Sequence, residues 1–279
     1  MPDRWRLSAF GDEIAPGLEE QVAVLAEHEV GALELRTAGG VNVVDLDPQQ
    51  LDRAARVLQD AGIAVSAIGS PVGKAPIEGD FEAEQARFRA ALRAAERLGT
   101  RRIRVFSFLF ADGRRSELRD EVLRRMSALA REAEARDVVL AHENESYIYG
   151  DNAERCRDLV ESVGSPALEV AFDPANFVQV GVRPYDEAWP LLKDRVGHFH
   201  VKDAVPVEDG NLMASVRPAG EGEGQLPELL RALDRKNYGG YLVIEPHLHS
   251  RLPDLDGPAR FAVAVGALRG LQSQLEVDR

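Results

Sequence analysis

Short apolar runs alternate along the whole chain with longer stretches that carry an apolar residue every three or four positions. The short runs are RLSAF from Arg6, ALEL from Ala32, IAVSAIG from Ile63, RIRVFSF from Arg102, VVLAH from Val138, LEVAF from Leu168, VGHFHV from Val196 and YLVIE from Tyr241. Their length and their β-branched and aromatic content predict strands. The longer stretches include EEQVAVLAEHE, PQQLDRAARVLQDAG and ELRDEVLRRMSALAREAEARD, with apolar residues at i, i+3, i+4 and i+7 and charges between, which predicts amphipathic helices. Asp47 before Pro48 and Gly62 after Ala61 are start and stop signals for the second of these.

Strand and helix alternate through eight units, and strand starts fall roughly 25 to 45 residues apart, the length of one strand, one helix and two turns. Strands joined by helical crossovers must run parallel, so the pattern predicts an α/β chain folded as a closed (β/α)8 TIM barrel, a single domain over residues 1–279. A doubly wound open sheet is the alternative, but the first strand is not followed by G-x-G-x-x-G. The segment Asp203 to Gly224, with its PAGEGEG run, is long for a barrel connection and reads as a mobile lid.

Composition narrows the function classes. Forty-seven acidic against thirty-four basic side chains give a net charge of −13, a poor match for a phosphate backbone, so nucleic acid is not an expected partner. No stretch approaches the roughly 18 apolar residues of a membrane span, and no signal-peptide pattern opens the chain, so no membrane partner and a cytoplasmic location are expected. Cys156 is the one cysteine, which rules out an intrachain disulfide and a thiolate cluster. A tightly held metal would therefore rely on oxygen and imidazole ligands.

Barrel chemistry is built at the carboxyl ends of the strands. Strand five ends in AHENE with Glu143, strand six in FDPANF with Asp173, strand seven in HFHVKD with His200 and strand eight in IEPH with Glu245. Each has an ordinary reading alone: a glutamate or Asp173 before Pro174 can cap the following helix. Together they are three carboxylates and one imidazole from four adjacent strands, a set suited to Mn²⁺, Mg²⁺, Co²⁺ or Zn²⁺. Unpaired carboxylates at one height would repel, and a cation removes the repulsion. Period-two alternation places His198, His200 and Lys202 on one face, directed into the barrel, with Phe199 and Val201 on the other. His198 reads first as a hydrogen-bonded core residue.

In these motifs the chain resembles the xylose-isomerase-like TIM barrels, which include sugar-phosphate isomerases and epimerases, ketose 3-epimerases, hydroxypyruvate isomerases and some sugar-acid dehydratases. The marks are the Glu-Asn of HENE, the Asp of FDPANF, the second His of HFHVKD and the Glu of VIEPH, in that order. The resemblance implies one divalent ion on Glu143, Asp173, His200 and Glu245, with Glu143 and Glu245 also moving protons in an isomerase or epimerase of a small sugar, sugar phosphate or sugar acid, through a metal-stabilised enediolate. It implies a carbohydrate as small-molecule partner, with manganese among the candidate ions, and leaves homodimer or homotetramer open.

Departures from the family bear on substrate. ENESYIYG replaces the longer Asn-Arg-x-Glu signature of ketose 3-epimerases, and Asn176 stands where those enzymes and the three-zinc apurinic-site endonucleases of the same superfamily carry a histidine. A dehydratase on the same scaffold is the nearest alternative; a sugar-binding protein without turnover is a further one. Lys74, Arg104, His198, Lys202 and Arg217 are the candidate substrate-binding groups, and Arg36 joins them at the barrel mouth. The ordinary readings pair Arg104 with Glu34, pair Lys202 with Asp203, and give Glu13 packing roles; His247 and His249 could face a ligand or simply occupy a loop.

Overall fold

The computed structural model describes residues 5–110, 114–207 and 210–277. Eight strands form the barrel: β1 (Arg6–Ala9), β2 (Ala32–Leu35), β3 (Ala64–Ile68), β4 (Arg102–Val105), β5 (Val139–Glu143), β6 (Leu168–Phe172), β7 (Val196–Val201) and β8 (Tyr241–Ile244). Each pairs in parallel with its neighbours in chain order, and β1 closes the ring against β8 with Ala9 opposite Ile244. The expected (β/α)8 TIM barrel is thus the observed fold.

Helices α1 (Leu18–Glu27), α2 (Pro48–Asp60), α3 (Phe81–Leu98), α4 (Arg115–Glu134), α5 (Ala153–Val163), α6 (Pro174–Gln179), α7 (Leu226–Arg235) and α8 (Gly257–Val277) follow the strands. The start of α2 is a full capping box: Asp47 Oδ1 accepts from the Gln50 amide at 2.8 Å, and Gln50 Oε1 accepts from the Asp47 amide at 2.8 Å. The outward faces of the strands and the apolar faces of the helices form one main core, with Phe88, Phe172, Phe199 and Phe261 fully buried in it. Each such side chain contributes about 1.5–3 kcal/mol by leaving water.

Two elements depart from the pattern. The run RIRVFSF leaves the ladder after Val105, because Phe106 and Phe108 turn their amides to Val72 O and Gly73 O, both at 2.8 Å. The loop after β3 takes the place of a strand partner there. A Cβ on Gly73 would collide with the Phe106 carbonyl, so the close approach requires glycine. After β6 a long helix is replaced by the six-residue α6, a wide helical turn over Pro184–Ala188 and a last turn over Trp189–Leu192. Gly181, at φ 78°, and Pro184 interrupt the run.

The barrel lumen is polar. His198 of β7 meets Glu34 of β2, and Ser8 Oγ of β1 lies 2.7 Å from Ser66 Oγ of β3, contacts between non-adjacent strands that run across the lumen. Lower down, Arg102 pairs with Glu169, and Gly197 leaves the room that the Glu169 carboxylate occupies. Among the described residues, no helix is long and apolar enough to cross a membrane.

Candidate metal centre

The carboxyl ends of β5 to β8 bring Glu143, Asp173, His200 and Glu245 together, with one donor atom of each within 4.8 Å of the others, all buried. His200 Nδ1 lies 3.4 Å from Glu143 Oε1, 3.7 Å from Asp173 Oδ2 and 3.7 Å from Glu245 Oε2. The ring's other nitrogen, Nε2, faces Glu34 Oε2 at 3.4 Å, and neither nitrogen makes a hydrogen bond of proper geometry. Phe10, at the end of β1, holds the ring edge-on at 5.4 Å.

The two oxygens of Asp173 face different ways. Its Oδ1 caps α6 by accepting from the Asn176 amide at 2.9 Å, while Oδ2 is turned to the cluster. Asn144 fixes this residue in place: its Oδ1 accepts from the Asp173 amide and its Nδ2 donates to the Asp173 carbonyl, each at 2.9 Å. Glu143 and Glu245 cap no helix. Glu143 Oε1 accepts from Asn176 Nδ2 at 3.2 Å, and its Oε2 lies 3.3 Å from Arg104 Nη1 without a hydrogen bond. Glu245 Oε1 accepts from Arg36 Nη1 at 3.2 Å and faces His247 Nε2 at 3.0 Å; its Oε2 accepts from Lys202 Nζ at 3.3 Å.

These contacts set the charges. Burial alone would raise the pKa of Glu143, but His200 and Arg104 outweigh it and hold the carboxyl below its usual range. Glu245 is likewise held well below that range, burial being overcome by Lys202 and His247. Burial opposes the charge on His200, yet Glu143, Asp173 and Glu34 lift its imidazole well above its ordinary value. Burial pushes His198 the other way, so the pair it makes with Glu34 at 2.6 Å is a carboxylate accepting from a neutral imidazole.

The residues present fit a divalent cation. A buried imidazole nitrogen without a hydrogen bond sits among three carboxylates, and Glu143 Oε2 accepts no hydrogen bond either. Buried polar atoms are seldom left so. With Nδ1 turned to such an ion, Nε2–H would point at Glu34, the carboxylate behind a metal-binding histidine that fixes its tautomer.

A cavity of about 450 Å³ opens above the cluster. Arg104, Lys74 and Lys202 line it, as do Arg36 and His247. Lys74 Nζ pairs with Glu145 Oε2 at 2.8 Å at the rim. Arg104 lies between Glu143 and Glu34, its Nε 3.8 Å from the latter, so the expected structural pair is the longer of its two contacts. Three assignments change. His198 leaves the substrate-binding candidates and keeps its first reading as a hydrogen-bonded core residue: it is fully buried beneath His200 and does not line the cavity, because Glu34 holds it in the lumen. Arg217 is turned away as well: its Nη1 donates to the Ala214 and Val216 carbonyls, each at 2.9 Å, on the outer side of a short ribbon. Lys202 does not pair with Asp203; it continues the inward face of β7 and meets Asp173, Asn176 and Glu245. Asp203 instead accepts from the amides of Gly220, Gly222 and Gly224 at 2.8–3.0 Å.

That anchor revises the expected lid. Asp203–Ala204 pairs with Val216–Arg217, and the glycine-rich arm is fastened to the Asp203 carboxylate, where a Cβ at 222 or 224 would collide with it. Leu212 and Met213 do reach over the cavity, while residues 208 and 209 of the segment lie outside the described residues. Sequence reasoning passed over Phe10, Tyr147 and Met213, and marked Asn144 in the Glu-Asn of HENE without giving it a role. Tyr147 had a local signal only in hindsight: it lines the cavity 55% exposed with φ 68°, a conformation bulky residues avoid.

Comparison with known proteins agrees with this architecture. No curated protein matches the chain. Among solved structures, the IolI protein with a binding zinc atom is 16% identical with a TM-score of 0.78, the match covering 96% of this chain and 98% of that one. The probable 3-DHS dehydratase AsbF from Bacillus anthracis is 16% identical, with a TM-score of 0.74 and coverage of 92% and 98%. A D-tagatose 3-epimerase-like protein is 16% identical, with a TM-score of 0.74 and coverage of 97% and 99%. At these identities the likeness speaks for the fold. The model of the xylose isomerase-like TIM barrel matches residues 22–270, nearly the whole of the closed eight-stranded ring, and the chain belongs to that family.

Proposed function

We propose that the chain is a divalent-metal-dependent isomerase or epimerase of a small sugar, sugar phosphate or sugar acid, with Glu143 and Glu245 as its acid/base pair. The observation that carries this reading is the unpartnered Nδ1 of His200 within 3.4–3.7 Å of three buried carboxylates. An ion held by Glu143, Asp173, His200 and Glu245 would supply the positive charge that steadies the oxygen next to a carbon losing its proton.

The protein's own groups do the rest. Glu143 and Glu245 reach the cavity from β5 and β8, with β6 and β7 between them, so a substrate carbon lying over His200 meets a carboxylate on either side. One removes a proton and the other returns one. Arg104 faces Glu143 and Arg36 faces Glu245, and each keeps its glutamate ionised and ready to accept. Lys74 at the rim meets a substrate phosphate or carboxylate. The dehydratase reading has one observation in its favour: His247 touches Glu245 at the cavity wall, where an acid could protonate a departing hydroxyl.

The test is incubation of Mn²⁺-loaded protein with aldoses, ketoses and sugar acids in D₂O. Deuterium at the carbon beside the carbonyl, lost on chelation and reduced at least about 100-fold in Glu143→Gln at verified metal occupancy, is the expected result. Loss of water along with exchange marks the dehydratase. Undiminished Mn²⁺ binding by His200→Ala would remove the proposed site.

A further inference from the structure

Lys202 stands where the proposed function has no use for it. Its ammonium is buried and spends all three N–H groups inside the protein: on Asn176 Oδ1 at 2.9 Å, Asp173 Oδ2 at 3.0 Å and Glu245 Oε2 at 3.3 Å. The last two atoms are the same oxygens that face His200 Nδ1.

The other oxygen of each carboxylate is already committed. Asp173 Oδ1 caps α6, and Glu245 Oε1 is taken by Arg36 and His247. A divalent ion binding these two residues must therefore use Asp173 Oδ2 and Glu245 Oε2, the acceptors of the Lys202 ammonium. A carboxylate oxygen has lone pairs enough for two partners, but a dication and an ammonium sharing two oxygens in a buried pocket repel one another strongly.

We propose that Lys202 is a tethered counter-ion: its ammonium balances Asp173 and Glu245 in the metal-free protein, and a divalent ion binds in competition with it. The inference rests on the metal site proposed above. Lys202 has a way out, since it lines the cavity and its four-carbon stem can swing the ammonium into that space. Ion binding then has two consequences: it fills the cluster and delivers a cation into the cavity beside the substrate. The arrangement also keeps the carboxylates from repelling each other before the ion arrives, so the barrel needs no ion in order to fold.

Titration of metal-free protein with Mn²⁺, followed by calorimetry, tests the competition. Lys202→Met and Lys202→Gln, which remove the charge, should bind Mn²⁺ at least about 10-fold more tightly than the parent, given like charges a few ångströms apart. Lys202→Arg, which keeps the charge, should not gain this affinity. Thermal unfolding gives a second readout: Lys202→Met lowers the melting temperature of the metal-free protein and widens the rise that Mn²⁺ produces. Equal affinity in parent, Met and Gln variants would overturn the proposal, and weaker binding in both would make the lysine a support of the ion instead of its rival. Absence of Mn²⁺ binding in the parent and in the Met and Gln variants alike would defeat the metal site itself, a failure distinct from an unchanged affinity.

Discussion

The two glutamates of the cavity sit in opposite kinds of surroundings. Glu245 is a hub: Arg36, His247 and Lys202 all reach it, and Arg36 is in turn bound to Asp12 and Glu13 at 2.7 and 2.8 Å. Glu143 has a single amide donor, Asn176, and one oxygen that faces Arg104 without a hydrogen bond. Equivalent positions on the barrel have thus produced a carboxylate locked into a network and one held ready beside an open lone pair. A proton on Glu143 Oε2 displaces no hydrogen bond, whereas either oxygen of Glu245 must first release one.

The sharpest way to break this comparison is to neutralise each glutamate in metal-free protein and measure stability by denaturant unfolding. Glu245→Gln strands buried cations and should cost about 3–5 kcal/mol, the range for breaking a buried ion pair. Glu143→Gln weakens one charge-assisted hydrogen bond, from Asn176, and removes the charge facing Arg104, and should cost about 1.5–3 kcal/mol. Equal losses would mean that the two flanks are not different after all.

The Glu143 flank has a fully buried imidazole behind it. His142, the residue before Glu143, points outward, is fully buried, and lies 2.9 Å from Ser107 Oγ; burial holds its imidazole down at about 4. An unfolded chain binds this proton near pH 6.5, so the unfolded state carries more protons between the two values and stability rises with pH there. The contribution is whole above about pH 6.5 and is lost as pH falls to about 4, on the order of 3 kcal/mol. Unfolding free energies measured from pH 7.5 to 4 should show this slope, and His142→Leu should flatten it even while lowering the whole curve. A slope unchanged in that variant would assign the acid sensitivity elsewhere.

The smallest effect belongs to the rim. The Lys74 side chain is 41% exposed and its pair with Glu145 is open to water, so Lys74→Met should change stability by less than about 1 kcal/mol. Its consequence should appear in KM for a substrate bearing a phosphate or carboxylate, with kcat little altered; a change confined to kcat would move Lys74 from the rim into the chemistry.

Much of this was legible in the chain. ALEL, LEVAF and VGHFHV coincide with strands β2, β6 and β7 to the residue, because a short β-branched run between two amphipathic helices has few other uses. Asp173, read as either a cap or a cluster residue, is both, since its two oxygens face different ways. The direction of Lys202 was not legible. Its neighbour Asp203 is a plausible partner in sequence, yet three glycine amides from residues 220–224 claim that carboxylate. Arg217 shows the converse, a strong cation drawn off to two nearby carbonyls.

The sequence by itself determined the parallel barrel and which residue types stand at the strand ends, because periodicity and chain order are local properties that survive without tertiary contacts. Only the tertiary structure decided which oxygen meets which cation. Arg36 reaches Glu245 across 209 positions of chain and Glu34 meets His198 across 164, and such pairings exist only once the barrel has closed. Closure crowds charged side chains around one narrow lumen, where burial makes each unpaired charge costly, so every side chain takes the direction its neighbours across the lumen allow.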